Sequence, residues 1–176
     1  MFKTPSLKQL PKQADPRKFA QQGISLQGFI PVTELPRLAD AVEESAGEIQ
    51  VELAFEISVE KKKVVTGRAS AELTLVCQRC LEKVNVPVES NISLGIAWDE
   101  EEAEKLPEYL DPWITGEGAA DLYDMIEEEM LLSLPKVAYH EEQCVDRQLF
   151  SSGKPVEVKK TKNPFQVLEQ LKSSPK

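Results

Sequence analysis

Apolar and polar residues alternate without a break from Ile49 to Glu60, where the chain reads IQVELAFEISVE. Ile49, Val51, Leu53, Phe55, Ile57 and Val59 fall on one side, and Gln50, Glu52, Glu56, Ser58 and Glu60 on the other. A sustained period of two predicts a strand with one buried face. Lys61, Lys62 and Lys63 then form a solvated turn. A second strand is expected from Val64 to about Cys77, with Ala69, Ala71, Leu73, Leu75 and Cys77 on one face. Gly67 within it marks a bulge or a close packing contact. A third runs from about Lys83 to Trp98, with Val84, Val86, Val88, Ile92, Leu94, Ile96 and Trp98 sharing parity. Pro87, on the opposite parity, has no N–H to give and suggests an edge or a bulge. Long strands joined by short turns make an antiparallel meander, and the pattern leaves open whether it stays flat or curls into a barrel-like shape.

Helical spacing appears on both sides of this meander. Leu35, Leu38, Ala39 and Val42 recur on one face after Thr33, a candidate N-cap, with Gly47 placed to end the helix. Before it, Gly23 to Pro31 reads as a short edge strand with Ile24, Leu26 and Phe29 turned inward. From Asp121 to Leu134 a second helix is expected. Asp121 caps it, and Leu122, Met125, Ile126, Met130 and Leu134 form its apolar stripe. Asp124, Glu127 and Glu128 are assigned to water, while Glu129 drifts toward the stripe, where it is either solvated or meets a basic partner. Pro135 stops the helix. The stretch after Trp98, rich in acid and broken by Pro and Gly, reads as a long loop with a helical turn at 99–105.

The fold class is therefore α+β: an antiparallel meander packed with two helices, flanked by extended basic segments. Residues 1–18 form the N-terminal segment, 19–153 a single domain, and 154–176 a tail. In that tail Asn163-Pro164 opens a short helix with Phe165, Leu168 and Leu171 along one side. Alone, so short a helix is unstable and needs a surface to dock on.

Charge adds a second layer of organisation. The formal net charge is −9 overall, made of +4 in residues 1–18, −17 in residues 19–153 and +4 in residues 154–176. Phosphate contacts require clustered Lys or Arg, so RNA binding is expected at the ends, with Lys159, Lys160 and Lys162 foremost. The acidic body repels RNA and attracts basic proteins, or simply keeps the domain in solution. No apolar run approaches the ~18 residues of a membrane span, and no secretion-type apolar segment opens the chain, so a cytoplasmic location is expected.

Cys77, Cys80 and Cys144 are an odd set, unsuited to a disulfide framework. A C-x-x-C at a strand-to-strand turn lets two thiolates converge on one ion, and tetrahedral zinc needs four such ligands. His140 and Cys144, after the second helix, are the two further candidates, giving a Cys3His set of Cys77, Cys80, His140 and Cys144. The plainer reading stays open beside it: Cys77 shares the parity of Leu73 and Leu75, and a free cysteine often packs as a small hydrophobe. A thioredoxin-like reading fits worse, because that motif acts at a helix N-terminus. Other catalytic templates are absent. The chain has no G-x-x-x-x-G-K loop and no H-E-x-x-H, and its single histidine precludes paired-histidine chemistry. A non-enzymatic binding protein is expected, with no small-molecule substrate and no membrane partner.

Four segments in order then carry a resemblance: GISLQGFIP (Gly23 to Pro31), LTLVCQRCL (Leu73 to Leu81), DLYDMIEEEMLLSLP (Asp121 to Pro135) and NPFQVLEQLK (Asn163 to Lys172). Their order, spacing and the chain length resemble the YceD family of large ribosomal RNA subunit accumulation proteins. The resemblance implies a part in the synthesis, processing or stability of 23S rRNA, and the family has no established catalytic residues. It also implies ribosomal proteins or the precursor large subunit as partners, since the family's gene commonly neighbours that of a large-subunit ribosomal protein. Many relatives carry extra cysteines toward the C-terminus that look like a zinc ribbon completing the C-x-x-C. Here only Cys144 stands, beside His140. An RNA-independent, zinc-stapled protein–protein adaptor is the competing expectation.

Overall fold

The structure, a computed structural model, describes residues 8–146. In chain order its elements are β1 (Lys8–Gln9), β2 (Gln13–Ala14), α1 (Pro16–Gln22), β3 (Ser25–Pro31), a 3-10 turn at Val32–Glu34 and α2 (Pro36–Ala41). There follow β4 (Glu48–Ile57), β5 (Lys63–Val76), β6 (Lys83–Ala97), α3 (Glu100–Ala103), β7 (Asp111–Ile114), β8 (Ala120–Asp121) and α4 (Leu122–Ser133). The main sheet runs β1-β3-β4-β5-β6-β7, and β2 pairs with β8 in a separate ribbon. Its two end strands are different elements, so the sheet is open and the barrel-like alternative falls away. The tail expected to carry Lys159, Lys160, Lys162 and the Phe165/Leu168/Leu171 helix lies outside the described residues.

The meander forms where the alternation places it. β4, β5 and β6 pair antiparallel, with Val51 opposite Ala69 and Leu73 opposite Val86. Ile49, Val51, Leu53, Phe55, Ala69, Leu73, Val88, Ile92, Leu94 and Ile96 enter one core, while Glu52, Glu56, Arg68 and Glu72 stay exposed. One face is thus buried and the other wet, as an antiparallel sheet allows. At Gly67 the register runs on without a bulge, and a Cβ there would collide with the Glu52 carbonyl oxygen. Glycine is needed for that close approach. The buried alternation ends sooner than its pattern, since Ile57 and Val59 are exposed.

Several expectations change. β3 is not an edge strand: β1 pairs with it in parallel on one side and β4 on the other, and Ile30 is its deepest residue. From Lys8 to Phe19 the chain, expected as extended backbone held only where it docks, is woven into the fold. Leu10 enters the core, Leu122 N–H donates to the Lys12 carbonyl, and Tyr123 Oη donates to the Leu10 carbonyl at 2.8 Å. Asp15 caps α1, Pro16 opens it, and Gly23 closes it in the left-handed conformation. From α1, Phe19 meets Phe55 edge to face at 5.5 Å. The acidic stretch after Trp98 is not a plain loop, since α3 and β7 emerge from it and β7 joins β6 in parallel. Pro87 sits on β6 outside the part that β7 covers, so its missing N–H costs no pairing on that side. Asp99 caps α3, and Glu102 binds Arg17 at 2.9 Å. Arg17 stacks on the Trp98 ring at 3.5 Å.

α4 lies where its stripe predicts, with Asp121 accepting the Tyr123 and Asp124 N–H groups. Glu127, assigned to water, is instead only 2% exposed. The reason is α2, which starts at Pro36, three residues past the expected cap Thr33, and has no side-chain cap of its own. Glu127 supplies it from across the core. Its carboxylate accepts the N–H groups of Arg37 at 2.7 Å and Leu38 at 3.1 Å, and the Arg37 Nε–H at 2.9 Å. A negative group at a helix N-terminus with charge-assisted bonds is favourable. Glu129, half-buried, accepts the Ser90 hydroxyl at 3.1 Å.

Two measurements check this. Glu127→Ala strands the Leu38 N–H and should cost about 2–4 kcal/mol in urea unfolding, whereas Glu127→Gln keeps one acceptor and should cost about half as much. Burial, with Asp111 and Glu128 nearby, raises the Glu129 carboxyl above its ordinary value, against a downward pull from Ser90. The folded state then holds that proton more tightly than the unfolded chain, so this contribution to stability is present at low pH and fades as pH rises through the folded value. Glu129→Gln should therefore gain on the parent protein as pH rises and lose that advantage in acid, as read from unfolding midpoints between pH 4 and 8, a range set at roughly carboxylate to neutral pH.

Candidate metal centre

β5 and β6 are joined by a tight turn that brings Cys77 and Cys80 to one point. Cys77 N–H donates to the Glu82 carbonyl at 2.8 Å, and Leu81 N–H to the Cys77 carbonyl at 2.9 Å. Leu81 takes a positive φ of 63° to complete the reversal. Past α4, the chain turns at Pro135 and returns along this turn, where Gln78 N–H donates to the Ala138 carbonyl at 2.9 Å. Ala138 packs with Leu75, Cys77 and Val84 in a small apolar cluster separate from the main core. The segment after α4 has few apolar residues to hold it, so side-chain contacts matter more there.

Arg79 provides them. Its guanidinium donates to the carbonyls of His140 and of Glu142, the latter at 3.1 Å, and lies 5.1 Å over the Tyr139 ring. In consequence Cys77, Cys80, His140 and Cys144 converge, with one ligand atom from each lying within 4.8 Å of all the others. Cys77 Sγ stands 3.7 Å from Cys144 Sγ, and Cys80 Sγ stands 3.5 Å from His140 Nδ1. Tetrahedral zinc with Zn–S bonds of about 2.3 Å spaces its ligand atoms about 3.5–3.8 Å apart, so these two edges have metal-site spacing.

The donor atoms are also prepared electronically. His140 Nε2 lies 3.1 Å from the Lys83 carbonyl oxygen. A carbonyl can only accept, so Nε2 carries the proton and the Nδ1 lone pair is left facing Cys80. Burial pushes the Cys77 thiol up, but backbone N–H groups of Cys80, Arg79 and His140, together with the Cys80 side chain, bring it down to about 5. Cys144 moves the opposite way, raised by burial and by its bonds to Cys80 and Cys77. The Cys77 thiol is thus driven toward the thiolate, and its neighbours share hydrogen bonds with it. Three sulfurs and one imidazole suit zinc, and four protein ligands leave no open position for substrate or an activated water. Such a centre staples a structure.

The four candidate metal ligands are therefore brought together, and Cys77, fully buried, serves the small apolar cluster as well. The acidic residues after Trp98 do not form a metal site: Asp99 is a cap, and Glu102 is taken by Arg17 and the Trp98 N–H. Lys159, Lys160, Lys162, Phe165, Leu168 and Leu171 lie outside the described residues. Arg79 was not singled out from the sequence; an arginine between two cysteines carries no signal until its carbonyl partners are placed.

Comparison with known proteins identifies the family. Residues 65–172 match the family model described as large ribosomal RNA subunit accumulation protein YceD. A Haemophilus influenzae protein bearing the same description is 34% identical over 168 residues, covering 93% of this chain and 96% of that protein. No solved structure matches. On the extent of both alignments, which include the C-x-x-C turn, α4 and the segment carrying His140 and Cys144, the chain belongs to the YceD family.

Proposed function

We propose that this protein is a non-enzymatic factor that supports accumulation of 23S rRNA by binding to the precursor large ribosomal subunit. The observation that carries the reading is the similarity over nearly the whole chain to a relative described as a large ribosomal RNA subunit accumulation protein. The geometry is consistent with binding. Its one cluster of soft donors among the described residues offers four protein ligands, a complete set for a structural ion.

In this reading zinc, held by Cys77, Cys80, His140 and Cys144, ties the β5–β6 turn to the segment after α4. It supplies rigidity and takes no part in bond making. The acidic body accepts basic ribosomal proteins or assembly factors, and the basic tail, through Lys159, Lys160 and Lys162 beside Phe165, Leu168 and Leu171, reaches precursor rRNA or the particle. The charge layout of −17 between two +4 ends supports that division.

Three outcomes are expected. Protein purified without chelator should carry about one zinc per chain by elemental analysis, and Cys80→Ser or His140→Ala should lose it. Arg79→Ala keeps all four ligands but frees their backbone, and should weaken zinc about 10–100-fold in competition with a chromophoric chelator, as loss of a supporting contact does. In cells lacking the gene, 23S rRNA should fall and be restored by the full chain. A chain ending at residue 153 should restore it poorly and leave the pre-50S fractions of a low-salt gradient. Full restoration by an intact fold without the tail would remove the tail from the mechanism, and partners retained after nuclease treatment would favour an RNA-independent adaptor.

A further inference from the structure

β7 is the last strand of the main sheet, and among the described residues no strand pairs with its outer edge. Beside that edge runs a groove of about 930 Å3, with α4 on its far side and the β8 turn at one end. Buried Leu94, Ala120 and Met125 give it an apolar base, and Ile114 and Leu132, respectively 48% and 82% exposed, stand apolar at its rim. Asp111, Asp121, Asp124, Glu128 and Glu129 also line it, and no lysine or arginine does so among the described residues.

The carboxylates are not equally free. Asp121 caps α4 and pairs with Lys12 at 3.8 Å, and Glu128 meets Arg37 at 3.3 Å. Among the described residues, Asp111, Asp124 and Glu129 have no ion pair of that kind. Glu129 is half-buried with Asp111 and Glu128 near it, so the groove holds negative charge that the described residues leave uncompensated. A cation placed there relieves that repulsion, and the low-dielectric base strengthens the attraction.

We propose that the groove between β7 and α4 is the docking site for a lysine- or arginine-rich segment of a partner protein, with an apolar side chain of that segment set against Ile114 and Leu132. RNA is disfavoured by the sign of the field. Strand addition to β7 is also disfavoured, because Pro112 in the middle of that edge has no N–H to offer a ladder. Recognition is therefore by side chains: charge along the rim and one apolar contact. The inference rests on the reading of the protein as a binding factor with an acidic body, and gives that body a specific place of contact. It depends neither on zinc nor on rRNA.

The test uses the purified full chain and a synthetic peptide of alternating lysine and leucine, with Trp113 in the groove wall as a fluorescent reporter. Asp111→Asn with Asp124→Asn should weaken binding about tenfold, the scale of two partly desolvated charge pairs. Glu56→Gln with Glu72→Gln removes the same charge from the exposed sheet face and should change it less than twofold. Leu132→Gln should weaken the lysine–leucine peptide and leave an all-lysine peptide unaffected. Equal losses from both charge pairs would show attraction to net charge alone and overturn the site. So would binding of magnesium or calcium with no binding of peptide, or tighter binding of an RNA oligomer than of peptide at the same surface. Intact peptide binding with normal 23S rRNA in cells lacking the protein would leave the groove standing and sink the ribosomal reading; the reverse result would sink the groove alone.

Discussion

The buried carboxylate of Glu127, set against the first N–H groups of α2, is the contact on which the arrangement of this domain turns. It fixes α4 against the sheet in one rotation. An acidic residue in the middle of an apolar stripe would otherwise drive the helix to roll and expose it. With Glu127 satisfied, Leu122, Ile126 and Met130 face the core, and Tyr123 points at the N-terminal strap to receive Gln9 and bond Leu10. Everything α4 positions follows from that rotation. Its first turn holds the β2–β8 ribbon, its outer side forms one wall of the acidic groove, and its end directs the chain toward the β5–β6 turn.

Metal-centre geometry depends on this in turn. His140 and Cys144 lie on a segment that few apolar residues retain, so their meeting with Cys77 and Cys80 relies on where α4 ends and on Arg79 gripping two backbone carbonyls. Zinc bound at about a hundred times its dissociation constant would add about 2.7 kcal/mol to that local structure. The main core does not include the cysteines, so it has its own cohesion, and an ion held by them would act on one end of the sheet.

How much of this the sequence discloses follows from the range of the forces involved. β4, β5, β6 and α4 are legible because their period is local: alternation over Ile49–Phe55 or a stripe at Leu122, Met125 and Ile126 encodes a face without reference to anything distant. Asp121 as a cap is legible for the same reason. Glu127 is not, since its partner Arg37 lies far along the chain and its burial depends on a helix that lacks its own cap. α1 escapes notice because Asp15, Pro16 and Gly23 punctuate only seven residues, too few to show a period. β7 escapes because Asp-Pro-Trp-Ile is strand-like only when paired with β6. The four metal candidates could be named from residue type alone, but only the Arg79 contacts and the His140–Lys83 bond turn four residues into a site. The resemblance carried by Leu73–Leu81 and Asp121–Pro135 supplied the family, which no periodicity contains.

The domain therefore separates its chemistries by position. The candidate metal ligands gather around the β5–β6 turn, at the opposite end of the long hairpin from the β4–β5 turn. The groove's carboxylates gather instead between β7 and α4, far along β6 from Lys83, where the strand meets Asp111 opposite Leu94. A sheet buried on one face can keep two such features apart, because β6, fifteen residues long, is rigid enough to hold its ends at a set distance. Binding at the groove need not disturb the candidate metal centre, and loading that centre need not alter the groove. What joins them is α4, whose side lines one and whose end leads to the other. Coupling between the two sites, if a partner uses it, has to pass through the rotation that Glu127 holds.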